Sequence, residues 1–397
     1  MKILLVNNRL TIAKMPPFFR MERDYLISKG YDVYTYSWGD VSDCNKNERM
    51  YVCPEPKSNI GQCFYKYVFR KRLLKQFSEF VDNIKPDVIH LHLIKYPMSV
   101  FPVVKDYPAI LTLHGPNYIC ANGWGCHYND GQSCNLGIGW QCYKNGCVPL
   151  WHLIIKSFSY KRYLRSLMNN IKQFLFPAQH LEKTFRLFGF SNTRFLPIAA
   201  NPLFLSLLPG GYPRKKQVLF VGTLHEVKGV EILFDAFRKV LQRIPDAKLL
   251  YVGEGNKRET IENLISDNHL SDSVSLLGFK DHSSLIGLYR ESAMTVVPSV
   301  WKETFPQVVL ESLTLGTPCI GSDIGGIPEQ LHDGEFGFLV PPGDSELLSE
   351  KICFLLDNPS IAERMGNAGR AFMIKTYNAC QYLETLEDII RNVADNP

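Results

Sequence analysis

The chain is predicted to be an α/β protein built from two doubly wound domains, each a parallel sheet with helices on both faces, facing each other across a cleft. Three observations predict this. Apolar strand-like runs alternate with helical stretches through the first half, the same rhythm restarts in the second, and a Pro/Gly-rich stretch separates them. Regular alternation of strand and helix is what parallel strands joined by crossover helices require. A length of 397 residues suits two to three domains, and a 45% hydrophobic content supplies their cores.

In chain order, Ile3 to Val6, Val33 to Tyr36, Asp87 to Leu91 and Ala109 to Leu113 read as strands, with helical patterns over Phe18 to Lys29 and Phe64 to Ile84. After a last short strand, the stretch from Leu196 to Pro202 and then Pro209-Gly210-Gly211-Tyr212-Pro213 mark a hinge, which sets a first domain at 1–197. Strands over Gln217 to Val221, Lys248 to Val252, Val274 to Leu277, Met294 to Val297 and Cys319 to Gly321, each followed by a helix, build a second domain at 198–375. Leu383, Leu386, Ile390 and Val393 recur at amphipathic helical spacing, so 376–397 is expected as a terminal helix packing back across the domains.

A formal charge of +5 is small for this length and indicates no global nucleic-acid-binding character. The apolar run after Met1 is too short for a signal peptide, and no later run approaches a membrane span. Cys44, Cys53, Cys63, Cys319, Cys353 and Cys380 are scattered through predicted elements, which suits a reducing compartment. The expected location is the cytoplasm.

The chemistry concentrates around Glu303 and Glu311, which follow an apolar strand and bracket the mouth of a predicted helix. Pro306 fits a first helical turn and Thr304 can cap its free amides. Glu311 then falls about two turns inside the helix, at most about 12 Å from Glu303. That is roughly the span from a sugar ring to the ribose of a nucleotide diphosphate sugar, with the diphosphate at the helix's amide end. No Gly-x-x-x-x-Gly-Lys-Ser/Thr loop exists, and the first strand runs into Asn7-Asn8-Arg9 rather than Gly-x-Gly-x-x-Gly. The second domain instead opens with a strand whose loop holds Gly222 and delivers Lys228 to a helix start, where it can neutralise a diphosphate while Gly222 admits the backbone. Gly253-Glu254-Gly255 and Gly325-Gly326-Ile327-Pro328-Glu329 are further turns suited to phosphate or sugar hydroxyls. Each feature alone also has a plainer reading, as solvated glutamates, a lysine in water or tight turns.

Jointly, the Gly222 to Gly229 loop, Gly253-Glu254-Gly255, the Glu303/Glu311 pair, Gly316-Thr317-Pro318, Gly325 to Glu329 and Gly334 to Val340 resemble the retaining, GT-B-fold glycosyltransferases of glycosyltransferase family four. In the first half, Thr112-Leu113-His114-Gly115 looks like that family's strand-end histidine, and Phe176 to Leu181 like its segment before a helix. The resemblance implies two Rossmann-like domains, a nucleotide diphosphate sugar donor held mainly by the second, and a glycan or lipid-linked acceptor held mainly by the first. It implies Glu303 on donor-sugar hydroxyls, Lys228 on the departing diphosphate and His114 on the sugar across the cleft. It also implies Glu311 on the ribose, with Gly222, Thr223, Gly253, Thr304, Phe305, Pro306 and Val308 among the donor-binding positions. The leaving phosphate would help deprotonate the acceptor, so neither a protein nucleophile nor a cofactor is required. Two positions depart from the family pattern. Thr223 stands where an arginine is usual, leaving Lys228 to be joined by Arg9, Lys14 or His225, and Asn7 to Lys14 replace a glycine pair after the first strand.

Cys120, Cys126, Cys134, Cys142 and Cys147 crowd a loop at 117–149 that also holds His127. A structural zinc, disulfides and free thiols are all open readings. No acidic residue occurs from Gly131 to Leu181, where Lys156, Lys161, Arg162, Arg165 and Lys172 lie among Trp151, Phe158, Tyr160, Tyr163 and Phe174. Lys66, Arg70, Lys71, Arg72 and Lys75 form a second such cluster with Tyr65, Tyr67 and Phe69. Both suit an anionic bilayer surface on the inner face of the membrane, and both equally suit solvated helix faces. The sequence therefore points to a hexose-type transfer in polysaccharide or cell-surface glycan synthesis. The rivals are a sugar-nucleotide epimerase or phosphorylase on the same fold, and a non-catalytic nucleic-acid-binding module.

Overall fold

The computed structural model describes the chain except residues 9–15, 40–48, 55–69, 95, 123–133, 135–136, 206, 208–213 and 397. Arg9, Lys14, Cys44, Cys63, Lys66, Cys126, His127 and the Pro209 to Pro213 part of the hinge lie outside the described residues, as do the side chains of Lys156, Phe158, Lys161, Arg162 and Tyr163.

Two all-parallel sheets form the protein. The first contains β1 (Lys2–Val6), β2 (Asp32–Gly39), β3 (Met50–Pro54), β4 (Val88–Leu91), β5 (Ala109–Thr112), β6 (Gln173–Phe176) and β7 (Thr193–Phe195), in the spatial order β3-β2-β1-β4-β5-β6-β7. The second contains β8 (Lys215–Val221), β9 (Lys248–Val252), β10 (Val274–Leu276), β11 (Ser292–Val297), β12 (Cys319–Ser322) and β13 (Gly337–Val340), in the order β10-β9-β8-β11-β12-β13. Chain order reverses between β1 and β4 and again between β8 and β11. In open parallel sheets a ligand crevice opens at that reversal, beyond the carboxyl ends of the strands.

Helices join the strands. In the first half these are α1 (Pro17–Ser28), α2 (Arg70–Ile84), α3 (Pro97–Val104), α4 (Gln141–Lys144), α5 (Leu150–Asn170), α6 (Gln179–Leu187) and α7 (Pro202–Leu205). In the second they are α8 (Val230–Arg243), α9 (Arg258–Asp267), α10 (His282–Glu291), α11 (Gln307–Thr314), α12 (Ile327–Gln330), α13 (Ser345–Asp357), α14 (Pro359–Thr376) and α15 (Ala379–Asp395). Pro17 opens α1 where its missing N–H is no loss, and Gly30, at φ +84°, ends it. The buried face of α1 is Phe19, Glu22 and Leu26, at i, i+3 and i+7. A carboxylate on that face is the one departure from an apolar stripe, and it matters below.

Three strands are absent from the sequence prediction. β3 and β6 are short, and β13 begins with Gly337 inside a run that reads as a turn. Gly337 is required there because a Cβ would lie 1.8 Å from the Cys319 carbonyl oxygen of the neighbouring strand. The terminal helix α15 returns to the first sheet, where Leu383, Leu386, Ile389 and Ile390 pack with Ile3, Leu5, Val88 and Leu175. Each such side chain contributes roughly 1.5–3 kcal/mol by leaving water. Tyr25 and Tyr31 donate to Glu387 at 2.8 and 2.7 Å and fix the rotation of this helix. Among the described residues no helix is long and apolar enough to cross a membrane.

Candidate active site

The carboxyl end of β11 runs through Ser299 into Glu303. Both glutamates are buried, Glu303 at 7% and Glu311 at 8% relative exposure, so neither lies on a solvated helix face. Ser299 Oγ and Lys228 Nζ both donate to Glu303 Oε1, at 2.8 and 2.6 Å. The Lys228 ammonium also sits 5.1 Å from the centre of the Trp301 ring. Lys228 ends a single 3-10 turn, Glu226–Lys228, and Gly229 at φ +68° then starts α8. A Cβ on Gly229 would lie 1.9 Å from the Pro298 carbonyl oxygen, so only glycine lets this turn approach the β11 end closely enough for the Lys228–Glu303 bond.

The helix after Glu303 differs from the sequence expectation. It begins at Gln307 with Pro306 in the cap position, and Thr304 caps nothing there. Glu303 thus belongs to an irregular loop, and Glu311 is the fifth helical residue, little more than one turn inside. The cause is the neighbouring glycine turn. Gly326 N donates to the Glu303 carbonyl at 2.7 Å, and Phe305 is buried with its ring 5.5 Å from that of Tyr377. These contacts hold 303–305 out of helical geometry. Gly325 and Gly326 are needed for the approach, since Cβ atoms there would lie 2.4 Å from Glu303 O and 2.2 Å from Thr304 O. Gly253, at φ +136°, likewise abuts the Gly222 carbonyl, where a Cβ would be 1.9 Å away. What these glycines do first is pack loop on loop.

Glu311 accepts a hydrogen bond from Tyr289 Oη at 2.9 Å through Oε2, and its Oε1 lies 3.5 Å from His282 Nε2. That contact raises the His282 pKa, and burial followed by Glu311 raises that of Tyr289. His282, Gln307 and Glu311 form one wall of a cavity of about 160 Å³ whose other walls come from Pro17 and Phe18 of α1 and from Ile198 to Pro202 in the interdomain segment. Val308 is half-buried beside Leu205 and Phe204.

On the facing side, His90 and His92 come from the end of β4, Thr112 and His114 from the end of β5, and Glu22 from α1. Glu22 Oε1 lies 2.6 Å from His90 Nδ1, and His90 Nε2 lies 2.8 Å from Thr112 Oγ1. Glu22 Oε2 lies 3.0 Å from His92 Nε2, and His92 Nδ1 lies 3.3 Å from His114 Nε2. Burial alone would raise the Glu22 pKa, but His90 and His92 outweigh it and hold the carboxyl well below the usual carboxylate range. Burial lowers His92, and burial reinforced by His92 and His90 pushes His114 down to about 3. Phe18 lies against the His114 ring at 4.8 Å and also joins the apolar cluster around Phe305 and Val309 of the second domain.

The two sides meet. A Cβ on Gly115 would stand 3.7 Å from Thr304 Oγ1, which places the His114–Gly115 turn against the Glu303–Thr304 loop. Elsewhere along the cleft, Glu329 accepts from Gln179 N and His180 N at 2.7 Å each and from His180 Nδ1 at 2.9 Å. This carboxylate of the second domain caps α6 of the first. Thr223 is exposed. His225, the remaining described candidate for a second cation, accepts from Val227 N and lies 3.5 Å from Glu226.

In the cysteine loop, no three of Cys120, Cys134, Cys142 and Cys147 come within metal-ligating reach of one another among the described residues. Sequence reasoning missed Glu22, His90, His92, Tyr289 and His282. The signal for two of them was present. His90-Leu91-His92 closes a predicted strand, and a period of two puts both imidazoles on one face.

Residues 210–372 match the family model described as glycosyl transferases group 1. The second half of the chain is a group 1 glycosyltransferase domain. Over 179 residues the chain is 31% identical to N-acetyl-alpha-D-glucosaminyl L-malate synthase of Bacillus anthracis, covering 45% of this chain and 46% of that protein. Over 178 residues it is 34% identical to phosphatidyl-myo-inositol mannosyltransferase of Mycobacterium leprae, covering 44% of this chain and 47% of that one. The matched stretch spans about half the length of these curated relatives. The whole chain superposes on sucrose-phosphate synthase from Thermosynechococcus elongatus with a TM-score of 0.74 at 19% identity, covering 100% of both chains. Anabaena HepE in complex with UDP-glucose gives 0.70 at 15% identity, covering 99% of this chain and 100% of that one. The fold around the group 1 domain is therefore GT-B.

Proposed function

We propose that the protein is a retaining glycosyltransferase that moves a hexose-type sugar from a nucleotide diphosphate sugar to a glycan or lipid-linked acceptor. One observation carries the reading. A buried carboxylate bonded to a lysine, Glu303 with Lys228, lies in a loop that faces the His114–Gly115 turn of the other domain. A sugar placed between them meets hydroxyl acceptors on both sides and an ammonium for its departing diphosphate. Lys228 neutralises negative charge as it develops, which costs little reorganisation because the ammonium is already held. Glu311, with Tyr289 and His282 around it, offers hydroxyl-binding groups one turn into α11, suited to a ribose. Enclosure by two domains removes the entropy of bringing donor and acceptor together. The acceptor hydroxyl passes its proton to the leaving phosphate as the new glycosidic bond forms, so the chemistry needs no protein nucleophile and no resident cofactor. A zinc in the cysteine loop would be a structural tie only, tested by metal analysis of the purified chain.

A thermal-shift screen of UDP-, GDP- and ADP-sugars tests the reading, because a ligand that binds only the folded state at 100 times its Kd adds about 2.7 kcal/mol of stability. One nucleotide sugar should raise Tm, and NMR of the product should show the donor's anomeric configuration. No shift with any member of the panel, or an inverted product, would defeat it.

The acceptor side also suits an anionic membrane surface. Trp140, Tyr143, Leu150, Trp151 and Ile154 are exposed beside Lys144, and the exposed Arg70, Lys71 and Arg72 start α2, one helix away across α3. Aromatic rings flanked by cations match the headgroup region. Sedimentation with phosphatidylglycerol vesicles should fall sharply in a Trp140→Ser, Trp151→Ser, Lys71→Glu, Arg72→Glu variant. Undiminished binding would remove the membrane from the proposal.

A further inference from the structure

The Glu22, His90, His92 and His114 cluster contains more ionisable groups than the proposed transfer uses, and its spacings define what it does. Two ligands across a tetrahedral zinc with bonds of about 2.0–2.1 Å stand roughly 3.3 Å apart. Glu22 Oε1 and His90 Nδ1 are 2.6 Å apart, and Glu22 Oε2 and His92 Nε2 are 3.0 Å apart. The carboxylate is closed onto both imidazoles, at hydrogen-bond length to His90 and at ion-pair distance, off the hydrogen-bond line, to His92. The three groups are in close electrostatic contact, and Glu22, His90 and His92 are all fully enclosed.

We infer that Glu22 and His92 are positioning residues that fix the tautomer of His114, so that His114 offers the bare Nδ1 lone pair to a hydroxyl of the donor sugar. This rests on reading the cleft as a sugar-nucleotide site. The proton count leaves one arrangement. Glu22 is ionised and accepts Nδ1–H from His90, and although no aligned hydrogen bond joins it to His92, a bare lone pair 3.0 Å from the carboxylate would be repelled, so His92 carries its hydrogen on Nε2. His92 is neutral and has no second proton, so its Nδ1 accepts. The atom that faces it, His114 Nε2, must therefore carry hydrogen. His114 is neutral too, so its other nitrogen has none. Ring packing holds the geometry. His92 and His114 stack at 28° with centroids 5.6 Å apart, Phe19 meets the His92 ring edge-on at 5.2 Å, and Phe18 lies against His114. The bond from His90 Nε2 to Thr112 Oγ1 anchors the branch that does not lead to the cleft.

The consequence for chemistry is specific. A bare Nδ1 accepts from a sugar hydroxyl and cannot protonate a leaving group, so His114 orients the donor and supplies no acid.

The test is long-range proton–nitrogen correlation NMR on the full-length protein labelled with 15N-histidine, with the His114 signals assigned by their loss in His114→Gln. Wild type should show His114 as the Nε2–H tautomer alone. In Glu22→Gln the amide oxygen still accepts from His90, but the amide N–H now donates to His92 Nε2. The His92 proton moves to Nδ1 and donates to His114, and His114 inverts to Nδ1–H. An unchanged His114 tautomer in folded Glu22→Gln overturns the inference. If that variant does not fold, His92→Phe keeps a ring between Phe18 and Phe19 and removes the link. His114 should then populate both tautomers, and a single unchanged tautomer overturns the inference equally. Turnover is read separately. Glu22→Gln should lower kcat for the accepted donor about tenfold with KM changed less than twofold, the loss of one oriented hydrogen bond. Tautomer inversion in a protein that transfers no sugar would leave the relay standing and remove the transferase reading.

Discussion

The two walls of the cleft are built in opposite ways. The second domain makes its site from loops packed backbone to backbone. Glycines 229, 253, 325 and 326 sit where a Cβ would collide with a neighbouring carbonyl, and the loops they join carry Lys228 and Glu303. The first domain makes its site from side chains distant in sequence, with Glu22 reaching His90 across 68 residues and His92 reaching His114 across 22. Contacts between backbones leave a written trace, because glycine must stand at each of them. Contacts between side chains leave only scattered polar residues on otherwise apolar faces.

The comparison is broken most forcibly at the carboxylates of the second wall. Glu303→Gln keeps the shape but removes the charge that holds Lys228, and kcat should fall by about 10²–10³ with donor affinity changed little, the scale on which positioned electrostatic groups act. Glu311→Gln keeps its bond from Tyr289 through the amide oxygen, and should raise the donor KM by roughly tenfold with a smaller loss in kcat. Steady-state kinetics with the donor found by thermal shift separates the two. Equal effects on kcat and KM in both variants would remove the division of labour between them.

That asymmetry also explains what was legible in the sequence. The two-sheet fold, the strands from Lys248 to Val252 and from Met294 to Val297, and the Glu303/Glu311 pair could all be read, since periodic apolar runs and glycine-rich turns are local signals. The helix start after Pro306 could not, because its cause is a hydrogen bond from Gly326 to the carbonyl of Glu303, 23 residues earlier. Nor could Glu22. On α1 it occupies a helical period shared with Phe19 and Leu26, and only the fold shows that two histidines from β4 wait beneath it. Glu329 gave a third case, since its motif reads as a phosphate turn while its carboxylate caps α6 of the opposite domain.

If backbone packing is what writes the second wall, Gly326→Ala should damage it without touching any functional side chain. Gly326 has a φ of −87°, so alanine costs nothing in backbone conformation. The loss arises because the methyl group would lie 2.2 Å from Thr304 O and must push the 303–305 loop away. Overpacking of this kind costs about 1–3 kcal/mol. The expected result in urea is a lower midpoint at unchanged slope, together with a fall in kcat as Glu303 moves. Gly334→Ala is the control for a glycine with no neighbour within 4 Å but a φ of +76°, and should lose stability alone. Normal stability and turnover in Gly326→Ala would show that the loop contact is slack.

The first wall predicts a smaller effect, visible in acid. His114 has a folded pKa near 3 against about 6.5 unfolded, and the pKa of His92 is lowered too, so both bind fewer protons folded than unfolded. Stability is then complete above about pH 6.5 and drains as pH falls toward 3, at up to about 1.4 kcal/mol per pH unit for each proton. Glu22, also depressed, adds its own loss below about pH 4.5. His282 acts in the reverse sense, since its pKa is raised by Glu311 and its contribution is present at low pH and lost as pH rises through its folded value. That change falls above about pH 6.5, so between pH 6.5 and 5 the His282 contribution is already present and the lowered histidines of the first wall set the slope. Urea midpoints of wild type should therefore decline over that window, and those of His114→Gln should decline less steeply by up to one proton's worth. Parallel slopes would mean that His114 titrates as it does in the unfolded chain, and the neutral imidazole on which the first wall depends would be lost.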